Sequence, residues 1–133
     1  MDRADTSMKD PELQIVVVSG PEDIQRATFG FASALAAGSS GIDVAIVLSM
    51  RGAYWAAPHA SQGSSVPEFP DVETLLQELA ELEVPVLACS TCVDNYCPSP
   101  TGGDGLRTLR KGIQRIGLGL VAIRMASART IVC

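Results

Sequence analysis

Leu13-Gln14-Ile15-Val16-Val17-Val18-Ser19-Gly20-Pro21 is a β-branched apolar run closed by a turn pair, which predicts a central strand that leaves its sheet abruptly. Glu22 and Asp23 stand where acidic side chains favour a helix start. Ile24, Ala27, Thr28, Phe31 and Leu35 then recur at helical spacing until Gly38-Ser39-Ser40-Gly41 breaks the pattern. Val44-Ala45-Ile46-Val47-Leu48-Ser49 reads as a second fully buried strand, followed by the glycine-containing turn Arg51-Gly52. Strand, helix and strand in that order make a βαβ unit with parallel strands and a right-handed crossover. Upstream, residues 1–12 are polar and mixed in charge and are expected to form a flexible tail, with 13–133 as the domain.

Downstream, residues 54–70 lack periodicity, are rich in Gly, Ser and Pro, and read as a long loop leaving the same end of the sheet as the next strand. Asp71 is placed to cap a helix whose stripe is Val72, Leu75, Leu76, Leu79 and Leu82, with Glu78, Glu81 and Glu83 toward solvent. Val84 to Ala88 is a third strand, and 98–105 a flexible connection. From Leu106 to Ile116 two readings stand. Leu106, Leu109, Ile113 and Ile116 fit a helix, while Gly112 followed by Ile-Gln-Arg-Ile fits a short strand. Leu118, Val121, Ala122 and Met125 make a last helical stripe, and Arg129 to Cys133 a terminal strand. The sum is a single α/β domain with a mostly parallel five-stranded sheet flanked by helices.

Composition agrees. In 133 residues, 47% hydrophobic and 5% aromatic, the core must be built from aliphatic side chains, as in sheets covered on both faces. Ten Lys and Arg against fifteen Asp and Glu give a net charge of −5, which argues against nucleic acid or an anionic membrane as partner. No apolar run approaches the ~18 residues of a membrane span, and no signal peptide is visible, so a cytoplasmic location is expected.

Ala88-Cys89-Ser90-Thr91-Cys92-Val93-Asp94-Asn95-Tyr96-Cys97 sets three of the four cysteines directly after the third strand. Open α/β sheets place reactive groups at the carboxyl ends of their strands. In a reducing compartment such thiols are reactive, metal-binding or simply buried rather than a disulfide framework. The spacing Cys89-x-x-Cys92 lets two sulfurs approach, and backbone N–H groups at a helix start favour a thiolate there, so either cysteine could act as nucleophile. A dithiol cycling to a disulfide is a second chemistry open to the pair. A structural zinc site would need another close ligand pair beside Cys89 and Cys92, and Cys97, His59 and Cys133 do not supply one. No metal and no organic cofactor is expected. Arg51, Arg107, Arg110, Lys111 and Arg115 are either a solvated face or a means of holding a sulfur-carrying anion or acidic partner near the cysteines. No P-loop or dinucleotide fingerprint is present.

This order of motifs resembles the DsrE/TusD-like family of small sulfur-relay proteins over about residues 13–133. Val17-Val18-Ser19-Gly20-Pro21 with its helix is similar to the family's first strand, turn and helix, and Val47 to Tyr54 to its second strand and following loop. Val84-Pro85-Val86-Leu87-Ala88-Cys89 resembles the third strand ending in the sulfur-carrying cysteine. Gly117-Leu118-Gly119-Leu120 and Ala128-Arg129-Thr130-Ile131-Val132 resemble the closing helix start and strand. The resemblance implies a Rossmann-like three-layer fold, a persulfide on Cys89 and an assisting Cys92. It also implies sulfur donor and acceptor proteins as partners, and assembly as trimers or hexamers of one chain or with related subunits. Asn95-Tyr96-Cys97-Pro98 departs from the small basic turn of relatives. With that departure, a redox or regulatory role for Cys89 and Cys92, or a non-catalytic subunit role, stands beside sulfur transfer.

Overall fold

β1 (Leu13–Val17) pairs in parallel with β2 (Val44–Leu48), Ile15 opposite Ile46 and Val17 opposite Leu48. The computed structural model describes residues 10–61, 63–98 and 108–133. β3 (Val86–Cys89), β4 (Gln114–Ile116) and β5 (Arg129–Val132) complete a five-stranded sheet in the order β4-β3-β2-β1-β5, and each adjacent pair is parallel. The helices are α1 (Ile24–Ser39), α2 (Val72–Glu81), α3 (Ser90–Tyr96) and α4 (Leu118–Ser127).

Alternation along the strands divides the core in two. On one face Ile15, Val17, Ile46, Leu48, Val86 and Ala88 pack with Ala27, Phe31 and Ala34 of α1 and with Val72, Leu75 and Leu79 of α2. On the other, Val16, Val47, Leu87 and Ile116 meet Val121 of α4. Burying one Val, Leu or Ile side chain is worth about 1.5–3 kcal/mol. β2, buried along its whole length, therefore anchors the sheet more firmly than any single polar contact could. Asp23 and Asp71 cap α1 and α2, accepting from the Arg26 and Thr74 N–H groups, as their position at the helix starts requires.

The structure departs from the sequence reading in several places. The expected turn at Arg51-Gly52 and the first residues of the expected loop, 54–56, form one 3-10 segment, Met50–Ala56, with Trp55 and Ala56 buried; its tighter turn escapes a search for 3.6-residue periodicity. The residues after Cys89 form the helix α3. Of the two readings for 106–116, the strand is correct at Gln114–Ile116, because the edge of β3 supplies a partner for it; Gly112 turns the chain there with φ of +90°. The connection at 99–105, with Leu106 and Arg107, lies outside the described residues, as do residues 1–9 of the expected tail. Pro11 is buried, and Glu12 N–H donates to the Asp43 carbonyl, so these two residues pack with the domain.

One ion pair fastens the segment before β4. The Arg110 guanidinium donates twice to the Glu73 carboxylate, both at 2.8 Å, Ser61 Oγ donates to the same group, and Arg110 N–H donates to the Ala56 carbonyl. The Arg110 bonds hold the Glu73 carboxyl at about 2, below its ordinary 4.5, against the opposing effect of burial. Because the folded value is depressed, this stabilisation is complete above about pH 4.5 and fades as pH falls toward 2. Glu73→Gln is expected to lower stability at pH 7 by about 1–2 kcal/mol, and the melting-temperature gap to wild type should close through that acid window. A gap that does not change with pH contradicts the assignment.

Candidate thiol site

β1, β2 and β3 lie side by side, so the segments leaving their carboxyl ends share one edge of the sheet. Gly52 makes the approach between two of them possible: a Cβ there would lie 1.9 Å from the Val17 carbonyl oxygen. The same carbonyl accepts from Ser49 N–H at 3.0 Å, and the Ser49 carbonyl accepts from Gly52 N–H at 2.8 Å. Trp55, fully buried, then reaches back to donate from Nε1 to the Ser19 carbonyl at 2.9 Å, with Phe31 and Tyr54 edge-on to its ring. The exit from β2 is thus bolted over the end of β1.

Cys89 ends β3 and is the N-cap of α3, and Cys92 is its third helical residue. An N-cap and the third helical residue lie near one side of a helix start, so the local fold sets Cys89 and Cys92 on the same turn. Both are free thiols, 4% and 7% exposed. Both thiols are therefore covered in the isolated chain: the sequence window shows the strand end but not the 3-10 segment packed against it.

Cys92 Sγ lies 3.6 Å from Ser49 Oγ in the interior and 4.0 Å from Met50 Sδ. Met50 is half exposed and holds a left-handed backbone, φ +50°, a conformation that disfavours a residue with a Cβ by about 1–2 kcal/mol. Neither residue was among the sequence candidates. The available signal was Ser49 closing a strand adjacent to β3, but strand order is a tertiary fact.

The other candidates separate. Cys97 is buried just beyond α3. Cys133 directly follows β5, three strand spacings from β3, about 14 Å across the sheet, and burial pushes its thiol up. Among the described residues no three Cys, His, Asp or Glu side chains form a metal-ligand group, and His59 is exposed. Of the basic residues, Arg115 reaches α3, donating to the Ser90 carbonyl at 3.3 Å and to Asp94 at 3.4 Å, whereas Arg110 belongs to Glu73. Arg51 and Lys111 are exposed, and Arg107 lies outside the described residues.

The model of the DsrE/DsrF-like family matches residues 13–132. The chain belongs to the DsrE/DsrF-like family. Cys89, Cys92 and Cys97 fall within the matched span of this DsrE/DsrF-like chain, and Cys133 falls outside it. The fold is also that of the ychN protein from E. coli: the two superpose with a TM-score of 0.70 at 21% identity, over 92% of this chain and 99% of that one. No curated protein matches the chain in sequence. No helix among the described residues is long and apolar enough to cross a membrane.

A methyl group at position 52 cannot fit beside the Val17 carbonyl. Gly52→Ala should destabilise the DsrE/DsrF-like domain by about 1–3 kcal/mol and speed labelling of Cys92 by a small thiol reagent. Wild-type melting and labelling would contradict the close approach.

Proposed function

We propose that the protein is a sulfur carrier in a relay, taking sulfane sulfur as a persulfide on Cys89 and passing it to an acceptor protein thiol, with Cys92 assisting. The observation that carries this reading is the position of Cys89 as the last residue of a buried parallel strand and the N-cap of the helix that follows, the kind of strand end where open α/β sheets place reactive groups. Membership of the DsrE/DsrF-like family supports a sulfur-relay role.

Loading is a displacement. The Cys89 thiolate attacks the outer sulfur of a donor persulfide, the donor S–S bond breaks, the donor leaves as a thiolate, and Cys89 holds S–SH. Transfer repeats the step with the acceptor thiolate as nucleophile. This exchange routes no step through a metal or cofactor. Because the thiols are covered, donor docking must shift the rim that includes the Met50 side chain, which is already half in solvent. The proximity of Cys89 and Cys92 at one helix start favours a second reading, a dithiol redox protein that cycles between thiols and a disulfide.

The carrier assembles with further copies of itself or related subunits through α4. That helix presents Leu118 at 62% and Ile123 at 65% exposure, with Met125 also exposed, and the edge strand β5 adds Ile131 and Val132. Apolar surface of this kind marks a protein interface. Cytoplasmic donor and acceptor proteins would meet the opposite feature, the thiol edge.

After incubation with a low-molecular-weight persulfide, the wild-type chain should gain the mass of one sulfur atom on Cys89, and Cys89→Ser should lose that gain by at least an order of magnitude; undiminished uptake by the variant refutes the assignment. Ile123→Glu should move the protein toward monomer in sedimentation, and a wild type that is itself monomeric contradicts the assembly.

A further inference from the structure

Ser49 occupies a constrained place. Its backbone is extended, φ −135° and ψ 159°, and is held on both sides by the bonds to Val17 and Gly52, so the direction of its Cα–Cβ bond is set by the fold. That hydroxyl is buried and lies 3.6 Å from Cys92 Sγ. The neighbouring Met50 thioether has no proton to give, so in the Cys92–Met50 contact the thiol is the donor. Ser49 Oγ–H is then the group able to donate to Cys92 sulfur, and it keeps that ability when the sulfur has lost its proton, whereas Met50 does not.

We infer that Ser49 is a positioning residue that orients Cys92 as the resolving thiol for Cys89, giving an unclaimed persulfide a second exit. The first step, loading of Cys89, rests on the carrier reading. In the second, the Cys92 thiolate attacks Cys89 Sγ rather than the outer sulfur. The bond from Cys89 to the outer sulfur breaks, a Cys89–Cys92 disulfide forms, and the outer sulfur leaves as hydrosulfide carrying the electron pair. The proton given up by Cys92 ends on the departing sulfide. The two cysteines are oxidised by two electrons and the sulfane sulfur is reduced by two. A dithiol reductant then restores both thiols and is itself oxidised to a disulfide. Met50, seated on Cys92 yet half in solvent, is the cover that separates this exit from bulk thiols.

Disulfide closure can be followed without any sulfur donor, by treating the full chain with an azodicarboxamide thiol oxidant and mapping the Cys89–Cys92 peptide over time. Ser49→Ala should slow closure roughly three- to tenfold, the loss expected for one hydrogen bond to the attacking sulfur. Ser49→Thr, which keeps the hydroxyl, should restore the wild-type rate, and labelling of Cys97 and the melting temperature should stay at wild type in both. On persulfide-loaded protein, Ser49→Ala should retain the Cys89 adduct longer and release sulfide correspondingly more slowly. Closure at the wild-type rate in Ser49→Ala, or failure of Ser49→Thr to restore it, overturns the inference. Ser49-dependent closure in a chain that takes up no sulfur sustains the role of Ser49 and overturns the carrier reading alone.

Discussion

The thiol edge of the sheet depends on Gly52 against the Val17 carbonyl, where a Cβ would lie 1.9 Å from the oxygen. That approach requires that no side chain stand at position 52, and it turns the chain leaving β2 back over the end of β1. From that contact follow the burial of Trp55 and its bond to Ser19, the extended backbone of Ser49 and the left-handed turn at Met50. Because β2 lies between β1 and β3, the same segment is delivered to the start of α3. A constraint between two strands thus sets the surroundings of a thiol on a third.

The two faces of the sheet are unequally covered. α1, α2 and the 3-10 segment bury one face deeply, which gives the thiol edge its rigid footing. The other face has α4 alone among the described residues, touching the sheet through Val121 while Leu118 and Ile123 point outward. Arg115 links the edge strand β4 to α3 by its contacts with Ser90 and Asp94.

Legibility in the sequence followed the range of the interactions. β1, β2 and β3 could be read because a strand buried on both faces must be a continuous apolar run, and α1 and α2 because one stripe and a capping aspartate are local properties. Cys89 could be read for the same reason, since it directly follows such a run. The 3-10 segment could not: its burial comes from Gly52 meeting Val17, more than thirty positions earlier. Gln114–Ile116 was ambiguous because only pairing with β3 makes it a strand. Ser49 and Met50 entered the site through the order of strands, and the burial of both thiols has the same origin.

Sulfur held on Cys89 is the central claim, since β3 ends and α3 is capped at that residue. The most direct measurement is a crystal structure after soaking with a small persulfide donor. One additional sulfur atom bonded to Cys89 Sγ, with Cys92 beside it and still in contact with Ser49, is the result expected. Added sulfur on Cys92, Cys97 or Cys133 with Cys89 unmodified would contradict the account.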